Sequence, residues 1–177
     1  MRSYEPADAD AVMAINAQSV PEVGELDAEK LAFFAENASF FIVAEARDFA
    51  GASQSSDPAV HAEDPTVLGF LVGLDEEVVG YGSNNYAWFK ERFPSFAYID
   101  RVAVTTDERG KGLGPAMYRA YEAWAIGFGK GWLTAEVNTV PDNPHSHHFH
   151  TKSGFEECGR GNPYGDEQEV MYYEKQL

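Results

Sequence analysis

Apolar residues recur along this chain in short bursts divided by polar punctuation. Phe40-Phe41-Ile42-Val43-Ala44 and Val67-Leu68-Gly69-Phe70-Leu71-Val72 are compact apolar runs of strand length, and Phe96 to Val104 alternates well enough to form a third strand. Trp132 to Val137, Phe155 to Gly159, Val170 to Glu174 and a short opening Arg2-Ser3-Tyr4 add four more. Helical spacing lies between them. Residues 6–19 carry Val12, Met13 and Ile15 behind Pro6 and early aspartates, which suit a first helical turn. Asp27 can cap a second helix that carries Leu31, Phe33 and Phe34 and ends near Asn37. In residues 115–128 the apolar positions Met117, Tyr121, Trp124 and Phe128 fall on one helical face, with Pro115 where a helix start tolerates it. His145 to Lys152 makes a short helix after Pro144, and Gly154 stops it.

Two stretches resist this pattern. Arg47 to Pro65, rich in Ala, Ser, Asp and Pro, reads as a loop between two strands. Gly73 to Pro94 has weak periodicity but holds Tyr81, Tyr86, Trp88, Phe89 and Phe93, and reads as a long, aromatic loop. The element order predicts an α/β (α+β) fold in a single domain over residues 1–177, with helices flanking a mixed, mostly antiparallel sheet.

Composition narrows the classes of function. An apolar content of 44% with 12 Phe argues against a disordered chain. Met1 to Val20 lacks the apolar run of a secretory leader, and no uncharged apolar stretch reaches membrane-spanning length. The single cysteine, Cys158, excludes an internal disulfide, and a cytoplasmic setting is the expectation. A net charge of −16 repels nucleic-acid phosphates and favours cationic amines. Any site for an anionic ligand must therefore be locally positive.

One segment meets that requirement. Val102-Ala103-Val104 is followed, after a short link, by Arg109-Gly110-Lys111-Gly112-Leu113-Gly114 at the mouth of a helix. A diphosphate needs several N–H donors converging on one point, and glycines let the main chain approach without obstructing Cβ atoms. The helix start adds unpaired N–H groups and a positive dipole end, and Arg109 and Lys111 add formal charge. A dinucleotide fingerprint would require Gly where Pro115 stands, and no G-x-x-x-x-G-K-[ST] loop occurs.

Tyr98-Ile99-Asp100-Arg101-Val102-Ala103-Val104 with the glycine loop resembles the fourth strand and acyl-CoA loop of the GNAT superfamily of N-acetyltransferases. Arg109, Gly112 and Gly114 match its loop pattern [QR]-x-x-G-x-[GA]. Asn143, Ser146, Phe149, His150, Gly154 and Phe155 fall on its second pattern, N-x-x-[AS]-x-x-F-Y-x-x-x-G-F. The resemblance implies an acyl-CoA N-acyltransferase fold in which two central strands splay apart into a coenzyme cleft. It implies acetyl-CoA as co-substrate, with no metal, and direct attack by an amine in a ternary complex. Val102, Ala103 and Val104 would bind the pantetheine arm through the main chain, with the Val102 N–H beside the thioester oxygen. Arg109 to Gly114 (including Lys111 and Leu113) would hold the diphosphate, and Asn138, Asn143, Ser146 and His150 would meet the coenzyme from the far side. His150 stands where the family often places a Tyr as general acid, and a histidine could donate that proton.

Asp100 is the favoured general base, on the strand face it shares with Tyr98, and Val102 and Val104 are assigned to that face as well. Glu136 is second and, with Tyr98, is placed among the acceptor-binding residues. Tyr81, Tyr86 and Trp88 could wall the acceptor pocket by cation–π contact; the alternative is ordinary core or the surface of a homodimer. The acceptor is expected to be a small-molecule amine such as an amino acid, polyamine or aminoglycoside. The run His145-Ser146-His147-His148-Phe149-His150 completes no recognised ligand spacing. Cys158 is expected to be buried and inert. A non-catalytic acyl-CoA-binding or sensor module on the same fold is the alternative to an enzyme.

Overall fold

The computed structural model describes residues 1–46, 66–165 and 167–177. The segment read as a loop, Arg47 to Pro65, lies outside the described residues. The elements run β1 (Arg2–Ser3), α1 (Ala9–Ala17), α2 (Ala28–Asn37), β2 (Phe40–Glu45), β3 (Val67–Asp75), α3 (Asn84–Lys90), β4 (Phe96–Val104), α4 (Leu113–Gly127), β5 (Trp132–Val140), α5 (Pro144–Lys152), β6 (Glu156–Gly161) and β7 (Glu169–Gln176). The strands form one sheet in the order β1-β2-β3-β4-β5-β7-β6. Every pairing is antiparallel except β4 with β5. This is the mixed, mostly antiparallel sheet with flanking helices that the element order predicted.

Both sheet faces are covered. On one, Val12 and Ile15 of α1, Leu31 and Phe34 of α2, and Tyr86 and Phe89 of α3 pack on Val43, Phe70, Phe96 and Tyr98. On the other, Leu113, Met117 and Tyr121 of α4 pack on Ile42, Leu71, Ala97 and Ile99. Each fully buried large apolar side chain contributes roughly 1.5–3 kcal/mol of transfer free energy, so the two layers together hold the sheet between them. Gly73 is required where α4 meets β3: a Cβ there would lie 2.3 Å from the Tyr121 ring. Tyr121 also donates to Leu74 O at 2.8 Å, which fixes the helix against the strand.

Three expectations need correction. Gly73 to Pro94 is not a continuous loop, because β3 runs on to Asp75 and α3 occupies Asn84–Lys90. Ser83 caps α3 by accepting from the Tyr86 N–H. The helix is seven residues long and rich in aromatic and Asn residues of weak helix propensity, so tertiary packing rather than periodicity makes it. Phe128 is not on the buried face of α4: it follows the helix and is 67% exposed. The third correction is on β4. The β3–β4 register shifts between Val72/Gly73, pairing Val72 with Arg101 and Gly73 with Ile99, and leaves Asp100 as the extra residue of a bulge. Tyr98 and Asp100 therefore share one sheet face, while Val102 and Val104 pack toward α4 on the other.

Candidate active site

The β4–β5 pairing supplies the central feature. It covers only Phe96↔Trp132, Ala97↔Leu133 and Tyr98↔Thr134, at the start of two nine-residue strands. Beyond Tyr98 and Thr134 the strands diverge. The gap is the floor of a cleft of about 720 Å³, lined by β4 from Tyr98 to Val104 and by Ala135, Glu136 and Asn138 of β5. The main chain of β4 on this side is a free strand edge, able to pair with an extended ligand.

At one end the cleft reaches the glycine loop. Gly110 and Gly112 have φ of +77° and +93°, the left-handed region that favours glycine, and Gly112 is the N-cap of α4. A Cβ on Gly110, Gly112 or Gly114 would meet no atom within 4 Å, so the approach to the main chain is open. Among the described residues no main-chain carbonyl accepts from the N–H of Gly110 or Gly112, and Leu113 and Gly114 open the first turn of α4. The arrangement fits a diphosphate.

The two cations of the loop are used differently from expectation. Lys111 does not line the cleft; its ammonium pairs with Glu108 at 3.0 Å. Arg109 borders the cleft, but its guanidinium donates to Gln18 O (2.8 Å) and Ser19 Oγ (3.2 Å), tying the loop to the segment after α1. The positive potential of the cradle therefore rests more on main-chain N–H groups than on side-chain charge.

Asp100 and Glu136 stand in contrast. The Asp100 side chain is 4% exposed and both oxygens are engaged: Oδ1 accepts from Tyr81 OH, and Oδ2 pairs with Arg101 Nε at 2.8 Å. Arg101 Nη1 continues to Asn16 Oδ1 (3.0 Å) and Gly24 O (3.1 Å), so the pair braces the segment between α1 and α2. Asp100, favoured as base from the sequence, has both oxygens engaged by a fixed donor, whereas Glu136 does not. On Glu136, Oε1 accepts from Tyr98 OH (2.9 Å) and Asn85 Nδ2 (3.0 Å). Its Oε2 is buried and has no partner among the described residues. Burial, with the negative charge of Asp100 second, raises the Glu136 carboxyl to about 8 against the pull of its two donors.

Across the cleft, α5 starts at Asn143, whose Oδ1 accepts from the Ser146 N–H at 3.1 Å. Asn143 and Ser146 border the cleft, as does Asn138, whose side chain accepts from Gln168. His150 is buried, with Nδ1 2.8 Å from Ser146 O and Nε2 3.0 Å from Tyr118 OH. Facing a carbonyl, Nδ1 must carry the ring proton, so Nε2 accepts from Tyr118. Burial lowers His150 to about 4, and at neutral pH it has no second proton to give. This differs from the expectation of a histidine acid. The hydrogen shared by this pair belongs to Tyr118, whose phenol burial raises above its ordinary value, a cleft residue that the sequence reading missed because it lies off the α4 face used to recognise the helix.

Tyr81 and Tyr98 line the cleft, but Tyr86 and Trp88 do not. Tyr86 is buried and donates to Asp75 O at 2.6 Å, and Trp88 stacks on Tyr172 at 4.0 Å under the Arg92 guanidinium. Both are packing residues, the alternative use weighed for the aromatic segment. Asn85, one position from Tyr86, is the residue of α3 that reaches the site. Among the described residues no group of His, Cys, Asp or Glu could hold a metal ion, and no helix is long and apolar enough to cross a membrane. The thiol of Cys158 is half-buried and pushed up to about 12 by that burial.

Comparisons with known proteins bear on the family and the fold. The family model described as Acetyltransferase (GNAT) family matches residues 36–155. Streptothricin acetyltransferase of Streptomyces lavendulae is 31% identical over 110 residues, covering 62% of this chain and 54% of that protein, so the match spans about half the relative's length. Among solved structures, Ard1 from Thermoplasma volcanium superposes with a TM-score of 0.71 at 21% identity, covering 99% of this chain and 95% of that one. Ribosomal-protein-alanine N-acetyltransferase from Brucella melitensis gives 0.68 at 21% identity, with 99% and 98% covered. Naa20 from Chaetomium thermophilum, in complex with a bisubstrate analogue, gives 0.69 at 18% identity, with 99% and 85% covered. At these identities the structures speak to the fold, and the matched family model carries the assignment: the chain belongs to the GNAT family of acetyltransferases.

Proposed function

We propose that this protein transfers an acetyl group from acetyl-CoA to the primary amine of a small acceptor by direct attack, with Glu136 as general base. The observation that carries the reading is the buried, unpartnered Oε2 of Glu136 on the floor of a cleft that leads to the glycine cradle. A buried carboxylate oxygen without a partner is costly, and an acceptor ammonium or an intervening water supplies the missing donor.

In this reading the main-chain N–H groups of Gly110, Gly112, Leu113 and Gly114 hold the diphosphate. The free edge of Val102 to Val104 pairs with the pantetheine arm, and the Val102 N–H polarises the thioester carbonyl. The acceptor amine gives up a proton to Glu136, directly or through water, and its nitrogen forms the new C–N bond as the C–S bond breaks. The departing thiolate takes the phenolic proton of Tyr118 once that hydroxyl turns from His150 Nε2 to the sulfur. A general base works best with a pKa near the working pH, and the raised carboxyl of Glu136 meets that condition. A cytoplasmic setting, where acetyl-CoA is available, belongs to the same reading.

The test is release of free thiol from acetyl-CoA with a panel of primary amines, using the wild-type protein and Glu136→Gln. Amine-dependent release that the substitution abolishes, with acetyl-CoA binding retained, supports the assignment. Undiminished release by the variant removes Glu136 from the mechanism, and acetyl-CoA binding without turnover on any amine favours the sensor alternative.

A further inference from the structure

Lys30 is a cation placed where stability gives little reason for one. It is the third residue of α2, at the positive end of the helix dipole, and its main-chain N–H donates to the Asp27 cap. Its side chain is half-buried and lines the cleft beside Tyr81, Asp100 and Glu136. Its ammonium lies 5.6 Å from the Tyr81 ring centroid and 5.7 Å from that of Phe34. Among the described residues no carboxylate or carbonyl lies within hydrogen-bonding reach of it. The other cation of this region, Arg101, is neutralised by Asp100 at 2.8 Å. Burial, together with the positive charge of Arg101, lowers the Lys30 ammonium against the pull of Asp100 and Glu136.

An ammonium without an ion-pair partner in the cleft that Glu136 also lines is complementary to an anion. Resting on the transferase reading above, we propose that the acceptor is an amine that also carries a carboxylate, and that Lys30 binds the carboxylate while Glu136 receives the amine. A zwitterion suits this protein in a second way. Its net charge is zero, so the field of a −16 chain does not repel it as it would a simple anion. The two ends of the molecule meet the Lys30 ammonium and the Glu136 Oε2, two groups of the pocket with no hydrogen-bond partner among the described residues. Tyr81 holds Lys30 over its ring face while its hydroxyl is fixed by Asp100, so the cation is positioned without being consumed by an ion pair.

The experiment compares kcat/KM for a series of unbranched amino acids of increasing chain length with their primary amides, corrected for the fraction of free amine. The wild type should prefer the acid member at the best length by about tenfold or more, the range of a charge-assisted hydrogen bond. Lys30→Gln should bring that ratio close to one, mainly through KM, and Lys30→Arg should restore part of it. Calorimetry with acetyl-CoA serves as the folding control for each variant. Equal use of acid and amide by the wild type, or a Lys30→Gln variant that keeps the ratio, would overturn the assignment while leaving the transferase reading intact. No thiol release with any amine would sink the transferase reading, and this assignment with it.

Discussion

The hydroxyl of Tyr98 donates a 2.9 Å hydrogen bond to Glu136 Oε1 just where β4 and β5 cease to pair. The last paired residues are Tyr98 and Thr134, and Glu136 is the next residue of β5 on the same face. The splay thus creates the cleft and places a carboxylate on its floor with one oxygen held and the other buried without a partner among the described residues. The Tyr98 hydroxyl favours the charged form of Glu136. Tyr98→Phe should therefore raise the Glu136 pKa further. A shift of the rising limb of kcat/KM to higher pH, with little change at the plateau, is the expected result. An unchanged limb would show that the bond does not tune the base.

Glu136→Gln keeps an oxygen to accept from Tyr98 and Asn85 but cannot take a proton. The rate of acetyl transfer should fall by about 100-fold or more. In the wild type kcat/KM, corrected for the fraction of free amine, should rise with pH and level off above about 8, as the carboxyl ionises. The variant should lack that limb. Steady-state thiol release from pH 6 upward measures both.

The same carboxyl predicts a trade between activity and stability. The folded-state pKa of Glu136, about 8, lies above its ordinary 4.5. Its favourable contribution is therefore fully present below pH 4.5 and is lost as pH rises to 8. Glu136→Gln escapes this loss. Relative to wild type the variant should gain stability steadily between pH 4.5 and 8, to a total of a few kcal/mol, with a constant difference on either side. Denaturant melts of both proteins across that range check the sign. A constant difference throughout would mean that the carboxyl is not raised.

Tyr118 and His150 offer a third separation. If the phenol protonates the leaving thiolate, Tyr118→Phe should lower kcat by roughly 10- to 100-fold with the acceptor KM little changed. His150→Gln can still present an oxygen to the Tyr118 hydroxyl and should keep most of the rate. No break near pH 6.5 should appear in the wild-type profile, because burial holds His150 near 4. A large loss in His150→Gln together with a neutral Tyr118→Phe would reverse the assignment.

The sequence by itself determined the elements whose signal is local. The apolar runs of β2 and β3, the Asp27 cap of α2, the glycine cradle at the mouth of α4 and the short helix at Pro144 all depend on neighbouring residues, and each lies within a few residues of where the pattern put it. The family followed from two such local motifs. Only the tertiary structure decided which charged groups are available. Asp100 and Glu136 are two carboxylates on adjacent strands and look alike in sequence. A one-residue bulge and the chance of a neighbour set them apart: Arg101 and Tyr81 satisfy one, while the strand splay leaves an oxygen of the other without a partner among the described residues. His150, Tyr118 and Lys30 follow the same rule, since burial and partners from distant elements fix a proton's place or leave a charge unpaired. Periodicity reports which face of an element is apolar. It carries no record of what that face meets, and ionisation depends on that meeting.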